Sequence, residues 1–221
     1  MSKAFAGHDT EAVCIFASGV SDSSCSDANQ FEREKKLLLA TLLANQDKKF
    51  VYFSSCALSA PDYTRNAYYE HKANMEALVI KNSERFFIFR IPQLFGDLIH
   101  HKTLINYIYE AVRDGLKFNV YDNAYRYVIE IKDVQRLVSL YLEKGSGNLI
   151  VDLANPHRYK VIDIVDTFEQ LLRKRANYQV VKKTDKYTLS LSALMDFLEK
   201  HDVEMGFGEN YLLHKLSQKL Q

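Results

Sequence analysis

Short apolar runs alternate along this chain with longer segments in which apolar residues recur every three or four positions. The runs have the length of buried strands, and the longer spacing is typical of amphipathic helices. The predicted strands cover 12–17, 50–53, 85–90, 118–121, 127–131 and 149–153. The predicted helices cover about 29–44, 67–82, 104–114, 133–143, 161–175, 190–200 and 210–219. Strands that alternate with helices predict a parallel sheet with helices on both faces.

The first three strands and two helices predict a β-α-β-α-β unit, whose connections are long enough for right-handed crossovers. Beyond Gly96 the alternation becomes less regular. We therefore predict an α/β fold with a doubly wound parallel sheet, a first domain over 1–98 and a mixed segment over 99–221. No low-complexity linker separates them, so we expect some strands and helices of the second segment to return to the first.

The composition narrows the range of functions. Of 221 residues, 47% are apolar and 26% are charged, which is typical of a globular protein. Lys and Arg number 29 against 28 Asp and Glu, and a net charge of +1 argues against binding of nucleic acid or membrane by bulk charge. Three cysteines without C-x-x-C spacing predict reduced thiols and no metal site. No apolar run reaches the roughly 18 residues of a membrane span, and we expect a cytoplasmic protein.

Three features that can carry chemistry follow one another in order. Ser54 and Ser55 end a predicted strand, Tyr68 and Lys72 lie four residues apart on the next helix, and 90–96 follows the next strand. At this spacing the Lys72 ammonium can approach the Tyr68 phenol, which would lower the pKa of the phenol toward neutral pH. A phenol tuned in this way can exchange a proton with a sugar hydroxyl or carbonyl. Ser55, at the carboxyl end of a strand, could hydrogen-bond the same oxygen.

Other residues of these types have simpler interpretations. A Tyr-x-x-x-Lys pair is common by chance in a chain with 14 tyrosines, so the order of the features is more specific than the pair itself. Cys56 is interpreted as a packed thiol, because a nucleophile needs a base and none is evident. His71, His100 and His101 lack the spacing of metal ligands and are predicted to lie on the surface.

Together these segments resemble the extended short-chain dehydrogenase/reductase family, the NAD-dependent epimerase/dehydratases that modify nucleotide sugars. The resemblance runs from about residue 12 to 166. The matching segments are 13–19 (the fourth strand), 50–56 (the fifth strand with its catalytic Ser/Thr), 68–76 (the catalytic helix), 89–96 (the sixth strand and substrate loop) and 126–134 (similar to Arg-Asp-Phe-x-x-Val-x-Asp-Val). The resemblance implies a Rossmann-like core with a small C-terminal α+β lobe that binds the substrate.

The family's functional residues carry over to this sequence. The implied catalytic residues are Ser55, Tyr68 as general acid/base and Lys72. The implied cofactor is NAD or NADP, with contacts from Ala17, Ser18, Gly19, Ser54, Tyr68, Lys72, Arg90 and Pro92. The implied contacts to a nucleotide-sugar substrate are Ser55, Gln93 and Arg126, whose planar guanidinium suits phosphate. The register of the serine leaves Ser54, Ser55 and Cys56 as alternatives.

The sequence departs from the family at its beginning. The family starts with a strand and Gly-x-x-Gly-x-x-Gly, which places a pyrophosphate at a helix N-terminus, whereas this sequence has 8 glycines and no such segment. We therefore interpret the fold as N-terminally shortened and keep three hypotheses. The first is an epimerase, dehydratase or reductase of a nucleotide-linked sugar, and the second is a non-catalytic or cofactor-deficient homologue that serves as a binding or assembly module. The third is an oxidoreductase of the same fold whose substrate is not a nucleotide sugar, and no feature of the sequence separates it from the first. Family members commonly dimerise through the two helices predicted at 29–44 and 67–82, so we also expect a homodimer.

Overall fold

The structure, a computed structural model, describes residues 2–5, 10–61, 63, 65–98 and 103–220. The chain forms two compact units. The first comprises Met1–Ile91 and Gln135–Leu153, and the second comprises Pro92–Val134 and Ala154–Gln221. These bounds differ from the predicted segments 1–98 and 99–221. Residues 135–153, which belong to the first unit, comprise the second half of the helix Ile131–Lys144 and the strand Leu149–Asp152.

The first unit is built on a four-stranded parallel sheet. Its strands lie in the order β1-β2-β3-β7. They are β1 (Val13–Phe16), β2 (Lys49–Ser55), β3 (Phe86–Ile91) and β7 (Leu149–Asp152). The helices that accompany it are α1 (Ala28–Ala44), α2 (Ala67–Asn82), the second half of α4 (Ile131–Lys144), and two short 3-10 helices at Ser2–Phe5 and Cys56–Ser59. The predicted α/β class with a parallel sheet is confirmed.

Alternation along the buried strands divides the core of this unit between the two faces of the sheet. On one face, Phe50 and Tyr52 of β2 pack with Leu38 of α1 and Met75 of α2. On the other face, the ring centroid of Phe89 lies 5.5 Å from that of Tyr141, a residue of α4. The apolar runs of β2 and β3 are therefore strands buried on both faces.

The second unit holds two smaller sheets and the remaining helices. Strands β4 (Gln93–Phe95) and β6 (Val128–Glu130) pair in parallel, and β5 (Lys117–Arg126) pairs with β8 (Tyr159–Lys160) and β9 (Asn177–Asp185). The helices are α3 (Leu104–Asp114), the first half of α4, α5 (Val161–Leu172), α6 (Ser192–Lys200) and α7 (Tyr211–Ser217). Apolar residues of α3, α5 and α7 pack with β5 in one core. No helix in the described ranges is both long enough and apolar enough to cross a bilayer.

One face of α1 differs from the sequence prediction. The helical spacing of apolar residues in 29–44 predicts one apolar face made of Phe31, Leu37, Leu38, Leu42 and Leu43. In the structure, Leu37 and Leu43 are 46% and 64% exposed. Leu38 and Leu42 are buried, and the residue one turn before them on the same stripe is Glu34, which is 1% exposed. A carboxylate thus occupies a core position of α1, and the next section describes what surrounds it.

Candidate functional site

A buried polar cluster lies at the carboxyl end of β1, where α1 and α2 face the same side of the sheet. The Lys72 ammonium is 3.0 Å from Glu34 Oε1 and donates to the Tyr52 hydroxyl at 3.1 Å. Tyr52 in turn donates to the same carboxylate oxygen at 2.9 Å. These three side chains come from β2, α1 and α2, and the geometry makes Lys72 the cation of a closed, buried network.

Gly19, which follows β1, makes room for this network. A Cβ atom at this position would lie 2.5 Å from Glu34 Oε1 and 2.7 Å from Lys72 Nζ, closer than real Cβ contacts. The backbone of Gly19 is not in the left-handed region, so the residue is needed for space rather than for its conformational freedom. The predicted cofactor-binding segment Ala17–Gly19 therefore borders Lys72 directly.

Glu34 accepts further hydrogen bonds within the cluster. The backbone N–H of Val20 donates to Oε2 at 2.7 Å, and His71 Nε2 lies 2.9 Å from the same oxygen. Burial by itself raises the pKa of Glu34, but the hydrogen bond with His71 and the charge of Lys72 outweigh it and lower this pKa to about 2. Glu34 is therefore an ionised carboxylate at neutral pH, although it lies inside the protein.

Tyr68 occupies the first turn of α2, which Asn66 caps by accepting from the backbone N–H of Tyr69. The side chain is 7% exposed, and the Lys72 ammonium lies over its ring, 5.9 Å from the centroid. Burial, followed by the charge effects of Tyr69 and Glu34, raises the pKa of Tyr68 well above its usual value. The sequence spacing predicts the opposite direction, and that prediction is wrong because burial and the neighbouring negative charges dominate.

The serines at the end of β2 differ in their environments. Ser54 is 7% exposed, and its hydroxyl has no hydrogen-bond partner among the described residues. Ser55 is half-buried, and its hydroxyl accepts from the backbone N–H of Ala57 at 3.4 Å, at the start of a 3-10 helix. Cys56 is fully buried and donates to the Arg90 carbonyl at 3.1 Å, and burial raises its pKa well above the usual value. These observations agree with a packed thiol at Cys56 and leave Ser54 as the buried hydroxyl that a ligand could engage.

Arg90, at the end of β3, is part of a second buried ion pair. Its Nε and Nη2 atoms donate to the two carboxylate oxygens of Glu76 at 2.9 and 2.7 Å, and Nη1 donates to Ser59 at 2.8 Å. Both sides of its guanidinium fork are thus held by α2 and the 3-10 helix. This contact ties β3 to α2 one turn beyond Lys72.

The other predicted site residues belong to the second unit. Pro92 and Gln93 lie at the start of β4, and Arg126 ends β5. Arg126 donates to the Asp185 carboxylate at 2.5 Å and to the carbonyls of Tyr125 and Asp185. It also lines an open pocket of about 550 Å³. The polar and aromatic residues that share this pocket are Tyr107, Lys117, Phe118, Asn119 and Tyr121.

The sequence prediction omits three members of the buried cluster, namely Glu34, Tyr52 and His71. His71, predicted to lie on the surface, is 7% exposed and stacks on Phe31 at 4.4 Å, so that prediction is wrong. One signal for Glu34 is available in the sequence: it shares the four-residue stripe of Leu38 and Leu42. His100 and His101 lie outside the described residues.

Solved structures share this fold. UDP-glucose 4-epimerase from Thermus thermophilus, in complex with NAD, matches with a TM-score of 0.74 at 15% identity, over 95% of this chain and 77% of that one. dTDP-glucose 4,6-dehydratase from Bacillus anthracis, in complex with NAD, matches with a TM-score of 0.75 at 15% identity, over 94% of this chain and 71% of that one. MoeE5, in complex with UDP-glucuronic acid and NAD, matches with a TM-score of 0.77 at 14% identity, over 95% of this chain and 78% of that one. No protein-family model matches the chain, and no curated protein matches its sequence.

The fold of this chain is therefore that of NAD-dependent epimerases and dehydratases of nucleotide sugars, as the sequence resemblance implies.

Proposed function

We propose that this chain binds a nicotinamide dinucleotide and a nucleotide-linked sugar, and acts on that sugar as an epimerase, dehydratase or reductase. The observation that carries this proposal is the position of Tyr68 and Lys72 on α2, beside the carboxyl end of β1. Ligands of open α/β sheets bind at the carboxyl ends of the strands. Several solved structures with this fold are complexes with NAD, NADPH or sugar nucleotides, which supports the same ligand classes here.

The residues at this edge of the sheet fit the nicotinamide end of such a cofactor. An ammonium has three donors, and two of those on Lys72 go to Glu34 and Tyr52, so one remains among the described contacts for a ribose hydroxyl. The buried hydroxyl of Ser54 also lacks a partner among the described residues. A binding site for the pyrophosphate of the dinucleotide is not evident among the described residues, because no described strand is followed by a glycine-rich loop.

Each residue has a distinct role in the proposed reaction. A bound nicotinamide supplies a hydride donor or acceptor. Tyr68 gives a proton to a sugar oxygen or takes one from it, Lys72 holds the ribose, and Ser55 orients the sugar oxygen. Because the pKa of Tyr68 is raised, its phenol is protonated at neutral pH, which suits the direction of the reaction in which a carbonyl oxygen of the sugar takes up a proton.

The pocket in the second unit suits the nucleotide part of the substrate. Its walls combine aromatic rings, which can stack on a base, with the cations Lys117 and Arg126, which can pair with a diphosphate. Arg126 is held by Asp185 in this structure, so a diphosphate would compete with that carboxylate for the same guanidinium.

We expect Arg126→Ala to weaken the binding of UDP by about 10- to 150-fold, because hydrogen bonds to charged groups contribute about 1.5–3 kcal/mol. Isothermal titration with UDP measures this change. Arg113→Ala is the matched control, since Arg113 is an exposed arginine of the same unit that pairs with Asp114 and does not line the pocket. Unchanged UDP affinity in Arg126→Ala would remove this residue from the site.

A binding or assembly module without a cofactor is the second candidate function. Two observations favour it: Lys72 is already paired with Glu34, and Arg126 is already paired with Asp185. A side chain whose charge is neutralised within the protein has less to gain from a ligand.

Titration with NAD(H) and NADP(H) separates the two candidates. A dinucleotide at 100 times its dissociation constant should raise the free energy of unfolding by about 2.7 kcal/mol. Thermal and urea unfolding with and without each nucleotide measure this effect, with adenosine alone as the control for a contribution of the adenine end. No stabilisation by any of the four dinucleotides would favour the binding module.

The expected homodimer and the cytoplasmic location stay predictions. The exposed apolar side chains Leu37, Leu43 and Ile80 on α1 and α2 support an interface at these two helices. Sedimentation of the purified protein tests the dimer.

A further inference from the structure

A buried lysine and a buried glutamate form the centre of the cluster at the end of β1. The side chains of Lys72 and Glu34 are 4% and 1% exposed, and they meet at 3.0 Å. Taking a lone ammonium out of water strongly favours its neutral form, so a lysine this deeply buried keeps its charge only beside a carboxylate. The identity of that carboxylate determines the ionisation state of a side chain on which the proposed function depends.

We propose that Glu34 is a positioning residue for the proposed reaction: it fixes the Lys72 ammonium in place and supplies the negative charge that keeps this buried lysine protonated. The inference rests on the proposed function for its consequence in catalysis, but the ion pair itself does not depend on it. Glu34 lies on α1, outside the Ser-Tyr-Lys pattern of the sequence.

The contacts of Glu34 suit this role. One of its carboxylate oxygens receives both Lys72 and Tyr52, so the hydroxyl of Tyr52 bridges the cation and the anion. The other oxygen receives the backbone N–H of Val20 and faces His71. Four contacts, from β2, from α2 and from the loop after β1, hold the carboxylate at one position.

The other charged groups near Lys72 cannot replace Glu34. The ionisable groups that face Lys72 are Glu34 from α1, Tyr52 from β2, and Tyr68 and Glu76 from its own helix. Glu76 uses both carboxylate oxygens on Arg90, and the two tyrosines are neutral phenols whose pKa values burial raises. Glu76 therefore pairs with the half-buried Arg90, and Glu34 pairs with the buried Lys72.

The consequence for the proposed reaction concerns its pH range. Burial lowers the pKa of Lys72, and Glu34 is the largest influence that opposes this. Without Glu34 the lysine would lose its proton at lower pH, and a neutral amine would no longer offset negative charge that develops near Tyr68 during proton transfer.

The test compares the pH dependence of stability in Glu34→Gln with that in the wild type. A lysine that is neutral in the folded state but charged in the unfolded state makes the folded protein more stable as pH rises. We expect the unfolding constant of Glu34→Gln, measured with urea from pH 7.5 to 9.5, to fall by up to tenfold per pH unit more steeply than in the wild type. The second change in Glu34→Gln/Lys72→Met should remove this extra slope.

Glu76→Gln is the matched control. It removes a glutamate that is also buried, but its partner is an arginine, which does not lose its proton in proteins. We expect this variant to lose stability with a much smaller additional slope, because Glu76 raises the pKa of Lys72 less than Glu34 does. If Glu34→Gln has the slope of the wild type, or keeps its slope when Lys72 is also replaced, the proposal is wrong.

If Glu34→Gln does not fold, the double variant Glu34→Gln/Lys72→Met becomes the test. A double variant that folds would support the proposal, because it lacks the unpaired buried cation of the single variant. A double variant that also fails to fold would overturn it. None of these measurements needs a cofactor or a substrate, so they stand even if the proposed function fails.

A second readout applies once turnover is measured. We expect the alkaline limb of the kcat/KM profile to move at least one pH unit lower in Glu34→Gln, whereas Glu76→Gln should lower the maximum of the profile and move this limb much less. A merely structural role for Glu34 predicts the same profile for both variants.

Discussion

Tyr68→Phe should keep the fold of the protein and lower turnover of a nucleotide sugar by about 10²- to 10⁴-fold, the usual contribution of a positioned acid or base. The change removes one hydroxyl from a side chain that packs with Val20, Leu58 and Tyr69, and the ring contacts stay in place. Single-turnover kinetics with a bound dinucleotide measure the loss, and circular dichroism checks the fold.

Tyr69→Phe is the control for this experiment. Tyr69 is buried to a similar extent, 9% against 7%, and contacts the same neighbours, but the residue four positions later is Ala73 rather than a lysine. We expect Tyr69→Phe to retain turnover within a few-fold. Full activity in Tyr68→Phe would remove the tyrosine from the mechanism, and equal losses in both variants would indicate an effect of packing rather than of proton transfer.

Lys72→Met should cost about 3–5 kcal/mol of unfolding free energy at pH 7, because it leaves Glu34 buried without its cation. The loss should depend on pH. In the variant, the charge of Lys72 no longer opposes the effect of burial on the pKa of Glu34, so this pKa is higher than in the wild type and the folded state binds more protons than the unfolded state in this range. Stability relative to the wild type should therefore decrease as pH rises from about 4 to 7, and urea unfolding at several pH values measures this.

The surface pair Lys36–Glu32 provides the control for this second prediction. The two residues lie one turn apart on α1, their side chains are 75% and 51% exposed, and the charged atoms are 3.8 Å apart. Lys36→Met should change the free energy of unfolding by no more than about 0.5 kcal/mol at any of these pH values. A Lys72→Met variant that behaves like Lys36→Met would contradict the structure of the cluster.

Local sequence signals predict most of the first unit. Helix α1 begins at Ala28 because Asp27 accepts a hydrogen bond from the backbone N–H of Asn29. Capping residues of this type can be recognised in the sequence, because they directly precede a segment with helical periodicity. Strands with continuous apolar runs, such as β3, can be predicted from the sequence in the same way.

Three strands of the second unit lack such a signal. Strands β4 and β8 have only three and two residues, and β9 is mostly exposed and is held by its backbone pairing with β5.

The candidate site is less predictable because its contacts join distant parts of the chain. Glu34 meets His71 and Lys72 across 37 and 38 residues, and helical periodicity alone does not place a carboxylate against a particular cation. The sequence pattern finds Tyr68 and Lys72 through their spacing. It does not reveal that the ammonium turns toward Glu34, nor that burial raises the pKa of Tyr68.

The absence of a side chain at Gly19 couples the loop after β1 to the side chains of Glu34 and Lys72. Its missing side chain is a volume that the glutamate and the lysine fill, so the residue complements positions 34 and 72 in space rather than in charge. An alanine at 19 would be accommodated more readily beside an aspartate at 34, whose side chain is one methylene shorter. Positions 19 and 34 should therefore tolerate substitution as a pair better than singly. Glu34 of α1 thus limits which residues can occupy position 19 in the loop after β1.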